Sequence, residues 1–136
     1  LLRQRSRPYL FSNSIPPMVA AAGIKMFEMI DATNDLQDKL HSNTEYFVKR
    51  MKDAGFDIKP TESAICAVML YDAKLSQDIA TSLLDEGIYV TGFYYPVVPK
   101  GQARIRVQIS AAHEPEHLGK CIAAFTKVAK EFGVIK

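Results

Sequence analysis

The chain has 136 residues, enough for one domain with one core, and 48% apolar with 24% charged residues place it among ordinary globular chains rather than disordered ones. A formal net charge of +2 is too weak a field to attract nucleic acid or an anionic membrane by charge alone. No run approaches the ~20 apolar residues of a membrane span and no signal-peptide pattern opens the chain; Cys66 and Cys121 sit in apolar segments without CxxC or Cys/His spacing, so they support neither a zinc site nor a disulfide framework and read as small core residues.

The chain opens on Leu1-Leu2-Arg3-Gln4 without a methionine, as expected of one that begins inside a longer polypeptide. Arg3, Arg5 and Arg7 alternate there, which suits a solvated or subunit-contacting segment better than an RNA-binding arm. Ser14 before Pro16 and Pro17 is a helix-start signal, because the hydroxyl accepts an orphan N–H bond and proline costs little in the first turn. Val19, Gly23, Met26, Phe27 and Ile30 then form an apolar stripe at helical spacing. Leu36, Leu40, Phe47 and Met51 form a second, with Thr33 and Asn34 as caps and Gly55 as terminator.

A short strand is expected near Phe56 to Ile58, and a longer one over the β-rich run Ile65 to Tyr71. Leu75, Ile79 and Leu83 mark a helix closed by Gly87, and Ile88 to Thr91 again has strand character, giving a βαβ-like unit. Gly92 to Gly101 holds Pro96, Pro99 and two glycines and reads as a loop, and Arg104 to Ile109 alternates as a strand with both arginines on one face. Pro115 starts a last helix with the stripe Leu118, Ile122, Phe125, Ala129 and Phe132, ending at Gly133. The fold class expected is an α+β layer within an α/β parent: a small sheet with helices packed largely on one side.

Two places suit chemistry. Arg106 stands on an apolar strand beside a loop rich in proline and tyrosine. Its planar fork of donors matches a carboxylate in bidentate fashion, and the competing readings are a structural ion pair or a solvent-side strand residue. Leu10-Phe11-Ser12-Asn13-Ser14 offers hydroxyl, amide and helix-start N–H groups that suit a phosphate, against plain N-capping by Ser14. His113 is either an acid/base group or a cap of the next helix, the commoner use, whereas His41 and His117 fall on helix surfaces and take no role. No GxSxG, P-loop, HExxH or complete GxGxxG pattern is present.

The strings LRQRSRPYLFSNSIPP (2–17) and GIYVTGFYYPVVPKGQARIRVQISAAH (87–113) are similar to stretches of the glycine C-acetyltransferases, within the α-oxoamine synthase group of fold-type I pyridoxal-phosphate (PLP) enzymes. The resemblance covers essentially the whole chain and is weakest over 31–63. Sister enzymes with an arginine strand followed by Ala-His include 8-amino-7-oxononanoate synthase, 5-aminolevulinate synthase and serine palmitoyltransferase.

The resemblance implies that residues 14–136 are the C-terminal small domain of such a transferase, with a mainly antiparallel sheet, and that 1–13 connect it to a large PLP domain. It also implies condensation of glycine with acetyl-CoA to 2-amino-3-oxobutanoate and CoA, in threonine breakdown, by a homodimer. Arg106 matches the arginine that pairs with the substrate carboxylate. Ser12 and Asn13 match the pair that reaches the cofactor phosphate of the partner subunit. The lysine that anchors the cofactor belongs upstream of RPYLFSN; Lys25, Lys74 and Lys100 do not stand in its context, so no catalytic residue is expected here and the polypeptide alone is expected to be inactive. Enzymes of this type are cytoplasmic in bacteria and mitochondrial in animals. The other readings are a sister synthase, or a non-enzymatic regulatory module that uses the Arg106 strand to bind a carboxylate.

Overall fold

The computed structural model describes residues 1–7 and 15–135. The chain forms two compact units, Leu1–Asp35 and Leu36–Lys136.

The first unit contains a single-turn helix α1 (Leu2–Arg5) and the 16-residue helix α2 (Pro17–Ala32). Pro16 occupies the N-cap of α2, where its carbonyl accepts from the amides of Val19 and Ala20. Ser14, expected as the cap, therefore precedes that position and lies outside the described residues. Around α2 the apolar set is wider than a stripe: Met18, Val19, Ile24, Phe27, Met29 and Ile30 are all more than half exposed and no residue is buried. Lys25, Glu28 and Asp31 form its polar line, with a 3.2 Å bond between Lys25 and Glu28.

The second unit contains α3 (Asp35–Asp53), β1 (Ile58–Lys59), β2 (Ile65–Tyr71), α4 (Ala73–Asp85), β3 (Thr91–Phe93), β4 (Ala103–Gln108) and α5 (Pro115–Glu131). The four strands form one sheet in the order β1-β2-β4-β3, with every neighbouring pair antiparallel. Strands β2 and β3 are consequently parallel to each other with β4 inserted between them, so the βαβ-like unit is a split one. Cys66 and Val68 of β2 and Ile105 and Val107 of β4 point to one face, where Phe47 and Met51 of α3, Ile79 and Leu83 of α4, and Ile122 and Phe125 of α5 complete the core. Phe56 meets Phe125 edge-on, with ring centroids 6.0 Å apart. All three helices thus cover the same side, as expected.

Three helix ends share one chemistry. Gly55, Gly87 and Gly133 have φ of +97°, +78° and +69°. The residue after each glycine returns its amide to an upstream carbonyl: Phe56 to Met51, Ile88 to Leu83 and Val134 to Ala129. With the amides of the glycines themselves bonded to the carbonyls of Lys52, Leu84 and Lys130, this double closure satisfies carbonyls that the helix leaves open, and glycine enters the left-handed region without a Cβ penalty. At the other end of α4, Asp72 accepts the Leu75 amide at 2.7 Å.

The closure of α4 also sets where β3 begins. A strand was expected over Ile88–Thr91, but the ladder runs from Thr91 to Phe93. The Ile88 amide is committed to Leu83, and Ile88 and Val90 pack against the core without joining the ladder. Gly92 and Phe93, expected in the loop, are strand residues, and the loop begins at Tyr94.

Candidate functional site

Alternation along β4 sorts its residues by chemistry. Ala103, Ile105 and Val107 are buried, while Arg104, Arg106 and Gln108 lie on the opposite face, away from the helices. Arg106 stands opposite Ala67 of β2 and Thr91 of β3, and Arg104 opposite Met69 and Phe93. The small Ala67 leaves open space beside Arg106. Phe93, one diagonal step across the β3–β4 pair, brings its ring centroid to 5.6 Å from the guanidinium carbon of Arg106.

The two arginines differ in what holds them. Arg104 is partly buried and its Nε donates to the Gln102 carbonyl at 3.1 Å. Arg106 is exposed and forms no ion pair among the described residues. Both arginines line a cavity of about 610 Å³ on the open face, together with Thr61, Ser63 and Phe93 and the 97–99 loop. Arg106 and Phe93 also line a cavity of about 560 Å³ at the β3 edge, which reaches His113, His117 and Cys121. No aspartate, glutamate or lysine lines either cavity among the described residues. A wall of guanidinium, hydroxyl and aromatic groups with no carboxylate of its own is chemically suited to an anion, and to a planar one best.

The turn after β4 is held by a residue that sequence reasoning missed. Asn43, buried on α3, donates from Nδ2 to the carbonyls of Ser110 at 3.0 Å and His113 at 2.8 Å. Its signal was present: position 43 falls on the stripe of Leu40, Phe47 and Met51, where a polar residue needs a partner. His113 neither caps α5 nor stands free. Its Nδ1 accepts the Ser110 amide at 3.2 Å, which leaves the proton of a neutral ring on Nε2. The histidine at the start of α5 is His117, assigned no role from sequence, whose Nδ1 accepts the Glu114 amide at 3.1 Å. The Lys39 ammonium bonds the Glu114 carboxylate at 2.6 Å and holds it below the usual carboxylate range.

Cys66 is buried and Cys121 half-buried, so both belong to the core or its margin as expected. Burial pushes the Cys121 thiol up to about 11, which keeps it protonated at neutral pH and unfit as a nucleophile. Among the described residues no group of histidine, cysteine and acidic side chains is arranged to hold a metal ion, and no helix is long and apolar enough to cross a membrane. Ser12 and Asn13 lie outside the described residues.

The family model of aminotransferase class I and II matches residues 1–125. The 2-amino-3-ketobutyrate coenzyme A ligase of Escherichia coli K12 is 55% identical over 134 residues, covering 98% of this chain and 34% of that protein. The mitochondrial 2-amino-3-ketobutyrate coenzyme A ligase of Homo sapiens is 47% identical over 135 residues, covering 99% and 32%. Among solved structures, an SPT with PLP superposes at a TM-score of 0.84 with 31% identity, over 98% of this chain and 34% of that one. The chain spans about a third of the length of the curated relatives it matches.

Proposed function

The chain belongs to the class I and II aminotransferase family, and from that premise we propose that it serves a PLP-dependent acyl transfer, the condensation of glycine with acetyl-CoA to 2-amino-3-oxobutanoate and CoA. Two relatives whose names carry the product and the coenzyme support the reading, at 55% and 47% identity. The observation that carries it is Arg106: a guanidinium without an acidic partner among the described residues, on the wall of a cavity that holds no carboxylate.

In this reading Arg106 receives the glycine carboxylate through two parallel N–H···O bonds. A substrate held at that end loses its freedom to tumble, and a second attachment at its amino end would leave the Cα–H bonds a restricted set of orientations before any bond breaks. PLP, when bound, supplies the electron sink that makes the glycine Cα acidic enough to act as a carbon nucleophile. What the described residues offer is a fit to the substrate end of that site. Among the described residues no lysine lines either cavity walled by Arg106. Ser12 and Asn13 are proposed to hold the cofactor phosphate of a partner subunit, which makes a homodimer part of the site.

Arg106→Ala in the full-length enzyme tests this. Loss of a charge-assisted bidentate contact is expected to cost on the order of 2 kcal/mol or more, about thirtyfold in kcat/KM for glycine, with KM for glycine rising. An unchanged kcat/KM for glycine takes Arg106 out of the carboxylate role.

A further inference from the structure

Arg106 presents an unusual combination: a long, charged side chain on an open sheet face that must nevertheless hold one orientation to be useful. Neither cavity it lines offers it an acidic partner, and Arg104, its neighbour on the same face, is fixed by a backbone carbonyl instead. Among the described residues, the contact that orients the Arg106 guanidinium is the face of Phe93, 5.6 Å from its carbon to the ring centroid. We infer that Phe93 is a positioning residue for Arg106, its ring holding the guanidinium so that the donor edge is presented to the substrate carboxylate; the inference rests on the carboxylate role proposed above.

Three observations make the ring a fixed surface rather than a passing neighbour. First, Phe93 sits within the β3–β4 ladder, opposite Arg104 and diagonal to Arg106, so strand pairing sets the direction of its side chain. Second, the strand that carries it is pressed against α4: a Cβ on Gly92 would come within 2.7 Å of the Ser76 carbonyl oxygen. That close approach pins the backbone next to Phe93. Third, Phe93 is half-buried and lines the same two cavities as Arg106, so ring and guanidinium form one continuous wall. A π face attracts a cation without consuming its N–H donors, whereas a carboxylate in the same place would compete with the substrate for them. An aromatic support therefore orients the fork and leaves it open.

The test is steady-state kinetics on the full-length enzyme with glycine and acetyl-CoA, comparing Phe93→Leu, Phe93→Met and Phe93→Tyr, each alone and in an Arg106→Ala background. Leucine and methionine keep an apolar side chain but remove the π face, and tyrosine keeps it. The expected result is a rise of roughly fivefold in the glycine KM for Phe93→Leu and Phe93→Met, an unchanged acetyl-CoA KM, and near-normal values for Phe93→Tyr. In the Arg106→Ala background the same substitutions are expected to change the glycine KM by less than about twofold, because the ring then has no guanidinium to hold. The inference is overturned if both Phe93→Leu and Phe93→Met leave the glycine KM unchanged. It is equally overturned if they raise it by the same factor with and without Arg106, which is the signature of a purely structural role. Failure of the carboxylate role itself reads differently, as an Arg106→Ala enzyme with normal kcat/KM for glycine.

Discussion

Arg104 and Arg106 have the same side chain, strand and face, and their neighbours divide the work between them. A backbone carbonyl holds the first and an aromatic face supports the second, so only the second keeps its full set of donors for a ligand. Alternation along β4 was enough to place both arginines on one face; which of them stays open depended on Gln102 and Phe93. Environment separates the thiols from ordinary cysteines in the same way. Burial raises Cys121 from 9.0 to about 11. The thiolate fraction near pH 8 should therefore be on the order of a hundredfold lower than for an unperturbed thiol, and iodoacetamide should label Cys121 in the native protein slower than in urea by a factor of that order. Equal rates would contradict the burial. A Cys121 pKa raised in the folded state above its unfolded value contributes stability below about pH 9 that is lost as pH rises to about 11. Asn43 was missed because helical periodicity weighs apolar residues and passes over the polar one among them. Its partners, the carbonyls of Ser110 and His113, come from a turn far along the chain.

At the scale of elements, signals carried by adjacent residues were legible and those that depended on a distant surface were not. Gly55, Gly87 and Gly133 announced three helix ends, and the β-rich run Ile65–Tyr71 is the strand it resembled. Gly92 is the instructive exception. It read as a loop residue, yet it is a strand residue whose missing side chain lets β3 approach Ser76. Gly92→Ala should force the β3 and α4 backbones apart, because the atom met at 2.7 Å is a carbonyl oxygen that cannot rotate away. The expected loss is about 1–3 kcal/mol, read from the urea midpoint of the protein, and an unshifted midpoint would mean that the approach relaxes freely. In α2 the polar line of Lys25, Glu28 and Asp31 leaves most of the circumference apolar. That pattern is wider than a single packed stripe requires, and its width, rather than its period, was the informative feature.

At the scale of the whole molecule, the second unit is a complete layered core with one open sheet face, and the open face carries the candidate site. An acyl transfer of the proposed kind needs a covalent anchor for PLP, and no lysine lines the cavities that Arg106 walls among the described residues. The 136-residue polypeptide, purified by itself and supplied with PLP, glycine and acetyl-CoA, is therefore expected to release no CoA. Glycine-dependent CoA release above the background rate would show that one of its own lysines performs the anchoring.

The sequence by itself determined the four longer helices, three of their terminators, the two longer strands and the family resemblance, because periodicity, capping and motif strings are properties of neighbouring residues. Tertiary structure decided that β4 inserts between β2 and β3, that β3 begins at Thr91, and that Asn43 and His117 have structural work. It also decided that Arg106 rests on Phe93 rather than on a carboxylate. Each of these depends on which distant surface a residue meets, and that is fixed only when the sheet closes over its core.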